Sequence, residues 1–157
     1  MSSSTKWVAL SAAALTGMLY AGTAIADDAA TLDARIATMK AQGKDMGAVK
    51  AFTEDKGDLA AAQAAGADLV TQVGKLPDLF PKNTGMTAMP GKSFAKDAIW
   101  TDWDKFLAAA KTGKEKAEAL NTALKGGDKA AITAAFGDMG KNGCGACHEP
   151  FREKKPS

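Results

Sequence analysis

Apolar side chains recur at steps of three and four along almost the whole chain beyond residue 27. No other feature narrows the fold so far, because such stripes are buried when helix packs on helix. Four segments carry the pattern. The first runs over about 28–52, with Leu32, Ile36, Met39, Gly43 and Met46 on one stripe. The second covers 57–75, with Leu59, Ala62, Leu69 and Val73, and the third 99–125, with Trp103, Leu107, Leu120 and Leu124. The fourth spans 128–154 and carries Ile132, Phe136, Met139 and Phe151. Abundant Ala, Lys, Asp and Leu, with few β-branched residues, favours helix throughout. Pro77, Pro81 and Pro90, with Gly85 and Gly91, mark a long central loop, and Gly126-Gly127-Asp128 reads as a helix stop followed by a start. Short turns within each pair of segments and one longer connection predict an all-α, antiparallel up-down-up-down four-helix bundle.

The first 26 residues read as a separate unit. Lys6 precedes an apolar run from Trp7 to about Tyr20, and Ala24-Ile25-Ala26 supplies a small-x-small cleavage pattern before Asp27. That is the layout of a secretory leader, 1–26, whose removal from 157 residues leaves 131 in one domain, 27–157. Ser11, Thr16 and Gly17 interrupt the run, which argues against a membrane anchor. Of 20 basic side chains one, Lys6, lies in the leader, so 19 face 18 acidic ones in the mature chain. A balance so close to neutral gives no sign of a nucleic-acid partner.

Both cysteines fall in one short segment, Cys144-Gly145-Ala146-Cys147-His148. A disulfide between positions three apart would close almost no chain and restrain the unfolded state little. A dithiol redox pair normally opens a helix after a strand, and no strand pattern is present. A zinc site would need two more ligands, but His148 is the only histidine and there is no third cysteine. Cys-x-x-Cys-His is the attachment motif of c-type haem. Residues three apart share a helix face, so both thiols reach the vinyl edge of one porphyrin, and His148 points its imidazole at the iron. One covalently bound haem on the C-terminal helix is expected, its propionates making the loaded protein slightly acidic.

Placed on a fourth helix, this motif resembles the class II c-type cytochromes, comprising cytochromes c′ and their low-spin c-556-like relatives. The likeness covers nearly the whole mature chain. It rests on Arg35-x3-Met39 with Gly47, Leu76-Pro77-x-Leu79-Phe80-Pro81, Ile99-Trp100, and Ala135-Phe136-Gly137 through His148-x2-Phe151-Arg152. One departure stands out: Lys141-Asn142-Gly143 sets Cys144 one residue farther from Phe136 than is usual. In a regular helix that would turn the haem face by about 100°, so a bulge or local unwinding is expected near Gly140–Gly143.

The resemblance implies His148 as proximal iron ligand and puts Met39 over the distal face. If Met39 ligates, the protein is a periplasmic one-electron carrier with His/Met haem, the form that Met39-Lys40-x-x-Gly43 favours. If it only covers the face as a core side chain, the iron is five-coordinate and binds nitric oxide or carbon monoxide, the form that Arg35 favours. Weak peroxidase-like chemistry would need an open iron and a proton donor, and no distal histidine exists, so no enzyme is expected. Three cations are further haem neighbours by resemblance: Arg35 and Lys96 towards the propionates, and Arg152, one turn after His148, near the imidazole. A solvated surface cation is the alternative for Lys96 and Arg152. Partners implied are redox proteins and diatomic gases, with no membrane span, and either a monomer or a homodimer fits.

Overall fold

A computed structural model describes residues 20–154. The leader reading therefore falls mostly on residues outside the described ones. Helix α1 (Tyr20–Thr53) leads into α2 (Leu59–Gly74), and a 3₁₀ turn (Leu76–Leu79) opens the long loop. Then come a single turn α3 (Ala98–Thr101), α4 (Trp103–Gly126), α5 (Lys129–Asp138), a π turn (Met139–Cys144) and α6 (Gly145–Phe151). The elements α5, π turn and α6 form one unbroken helical run, so the molecule is the expected four-helix bundle.

Local chemistry sets the ends. Asp58 and Asp128 each accept a bond from the backbone N–H three residues on, capping α2 and α5. Gly127 closes α4 in the left-handed region at φ 76°. The third predicted segment differs in one respect: Asp102 (φ −118°, ψ 45°) leaves helical geometry and splits α3 from α4. The core lies between the stripes, with Val49, Leu69, Leu120, Leu124 and Ile132 fully buried or nearly so.

The unwinding expected near Gly140–Gly143 is present as the π turn. Gly145 N–H bonds to Gly140 O, five residues back, where an α-helix would reach back four. The wider turn absorbs the added residue, and the helix resumes in phase. Gly143 is buried against α4; a Cβ there would lie 2.7 Å from Met139 Sδ and 3.3 Å from Lys116 Cβ. Lys116 also reaches across to Asp138 (2.8 Å), which accepts from Asn142 at 2.5 Å as well.

Candidate haem site

The two walls of the site come from opposite ends of the chain. From α6, Cys147 and His148 face a cleft of about 360 Å³; from α1, Met39, Ile36 and Arg35 face the same space. A smaller inner cavity of about 40 Å³ adjoins it, and Met39, Cys147 and His148 line that too, together with Cys144. The spacings Arg35-x3-Met39 and Cys147-His148 thus converge, although more than 100 residues separate them. Phe80, Phe106 and Phe151 form the floor of the cleft, with ring centroids 4.8 Å (Phe80–Phe106) and 5.6 Å (Phe106–Phe151) apart.

The donor set fits a covalent haem. Neither cysteine is in a disulfide. Burial pushes the Cys144 thiol up, and pushes the Cys147 thiol up to about 11 with some help from its neighbour. Burial, and to a lesser degree the Arg152 charge, lowers the His148 imidazole, so it is neutral at pH 7 and free to ligate. Among the described residues no three His, Cys, Asp or Glu side chains gather to hold a bare metal ion. The cleft also draws, among the described residues, four cations and no carboxylate: Arg35, Lys40, Lys92 and Arg152. Such a lining suits a flat apolar ring with anionic substituents.

The cations divide differently from the sequence reading. Arg35 is 4% exposed. Its Nη1 donates to Thr84 Oγ1 (3.0 Å) and Leu79 O (3.4 Å), and its Nη2 to Thr84 O (2.6 Å) and Ser93 Oγ (3.0 Å). The guanidinium also lies 4.6 Å from the centre of the Phe80 ring. It lines the cleft while fastening the long loop to α1. Lys96 sits by Glu153 at 3.9 Å and is not part of the cleft lining. Arg152 lines the cleft, and its backbone pairs with Ala95. Lys92, Phe106 and Gln42 are cavity residues the sequence reading did not name, and Lys40, quoted there only for its likeness to c-556, joins them. Lys40 and Gln42 flank Met39 and could have been found from α1 periodicity; Lys92 carries no such signal.

Comparison with known proteins places the chain among haem-carrying relatives. A family model described as Cytochrome C′ matches residues 30–152. The chain is 37% identical over 151 residues to a cytochrome c-556 of Agrobacterium fabrum, covering 93% of this chain and 95% of the relative. It is 39% identical over 99 residues to a cytochrome c′ of Cereibacter sphaeroides, covering 62% and 64%. A solved cytochrome c′ from a Rhodobacter superposes with a TM-score of 0.73 at 31% identity, over 82% of this chain and 98% of that one.

Proposed function

Because this chain belongs to the cytochrome c′ family of class II c-type cytochromes, which carry haem c for electron transfer or gas binding, we propose that it is a periplasmic one-electron carrier with His148 and Met39 as axial iron ligands. The observation that supports this reading is that Met39 and His148 line both cavities. The haem supplies a ferric–ferrous couple. Cys144 and Cys147 would hold it covalently, and His148, kept neutral by its burial, would present a nitrogen lone pair. Met39 offers a soft thioether, which favours the ferrous state and raises the potential. Phe80, Phe106 and Phe151 give the cleft an apolar floor, while Lys40, Lys92 and Arg152 are the cations available to the propionates. No helix among the described residues is long and apolar enough to cross a membrane.

The second reading is a five-coordinate gas binder, favoured by the relatives named cytochrome c′. Absorption spectra of the purified ferric and ferrous protein decide between them. A low-spin spectrum with the methionine-to-iron charge-transfer band, converted to high-spin by Met39→Ala, is the expected result. A wild-type protein that is high-spin and binds carbon monoxide at once would sink the Met39 assignment.

A further inference from the structure

Gln42 lies three residues after Met39, one turn along α1 and on the same side. Its Nε2 is shielded from solvent and has no hydrogen-bond partner. The side chain lines the inner cavity with Met39, Cys144, Cys147 and His148. Buried polar atoms are nearly always paired, so an orphaned amide donor beside an iron site calls for an acceptor. The other inner walls are chiefly apolar, including Val73, Leu76 and Met139. A water there would need two or more polar partners. Once the thiols and the imidazole are engaged by the haem, the Gln42 carboxamide is, among the described residues, the one polar side chain left facing the cavity.

We propose that Gln42 is the hydrogen-bond donor of the distal wall, its Nε2 directed at the atom in the sixth position of the iron. That atom is the sulfur where Met39 ligates and a diatomic ligand where one is bound. The proposal deepens the reading above and rests on its placement of haem between His148 and α1, but not on Met39 being a ligand. A donor on the thioether withdraws electron density from sulfur, weakens its support of ferric iron and raises the potential. A donor on carbon monoxide strengthens back-donation from iron, lowers the C–O stretch and slows release.

The test is the infrared spectrum of the ferrous carbon monoxide complex of the haem-loaded protein, in a Met39→Ala background that opens the sixth position in either case. Gln42→Met, of similar size and without an N–H, should move the C–O stretch to higher frequency and speed release several-fold. Gln42→Asn should fall between. Exchange into deuterium oxide should shift the stretch while Gln42 is present, which decides the matter if Gln42→Met loads haem poorly. A stretch unmoved by both Gln42→Met and deuterium overturns the proposal. The Met39 reading fails separately, on a high-spin wild-type spectrum. A chain without covalently attached haem, seen in its intact mass, overturns both.

Discussion

At the scale of single residues, Arg35 shows how a buried charge is kept. Burial lowers its pKa to about 10, yet it is still charged at neutral pH, and four acceptors on the loop surround the guanidinium. Arg35→Met would remove all four of these bonds, and should cost about 3 kcal/mol in guanidinium unfolding of the loaded protein. Arg35→Lys should recover little of it, since an ammonium lacks the planar fork. The buried thiols make a second prediction. With Cys147 up to about 11 and the thiolate the reactive form, a haem-free folded chain should alkylate slowly at pH 7. Its rate should rise about tenfold per pH unit and level off only near 11; a plateau near 9 would mean an unfolded chain. Cys144, Cys147 and His148 were legible in the sequence because their chemistry is written in adjacent positions. Lys92 was not, since its part depends on how a loop about 50 residues beyond Met39 folds back, whereas Gln42 was within reach of the α1 stripe, one turn after Met39.

Among the elements, the π turn gathers the most specific consequences. It holds one residue more than a regular helix would, so deleting Asn142 should convert it to α-helix and leave haem attachment and the absorption spectrum unchanged. Loss of attachment in that variant would show that the wide turn itself is needed. Asp138 clasps the turn to α4, and its bond to Lys116, then that to Asn142, holds the carboxyl below its ordinary 3.8. A folded carboxylate more acidic than the unfolded one contributes stability above the unfolded pKa and loses it as pH falls through the folded value. Asp138→Asn should therefore flatten the acid limb of a thermal-melting profile below about pH 4, leaving its neutral limb slightly lower. Periodicity located all four helical runs, because each has a stripe to bury. It missed the break at Asp102, where the Trp100 indole turns to donate to Phe80 O at 3.0 Å, a demand made by the loop. The π turn was foreseen from one surplus residue, through likeness to the family and not through any local propensity.

For the whole molecule, the alternation of stripes and breaks was enough to specify an antiparallel bundle, because short connections leave few other packings. How the long loop closes the site was out of reach, since its partners lie far away in sequence. Arg35 holds the loop at Thr84 and Ser93; farther on, Lys96 N–H bonds to Phe151 O (2.9 Å) and Glu153 N–H to Phe94 O (2.8 Å). Removing residues 152–157 or replacing Arg35 should each speed tryptic cleavage at Lys92 about tenfold, with the helical circular dichroism nearly unchanged. Cleavage at the wild-type rate in both would mean that the loop is held some other way. These bonds complete a hoop that runs from α1 through the loop to the end of α6. The walls bearing Met39 and His148 cannot part without stretching it, so the width of the cleft between them is under mechanical gauge. A change in coordination that moved either wall would register as tension in the loop on the outside of the protein.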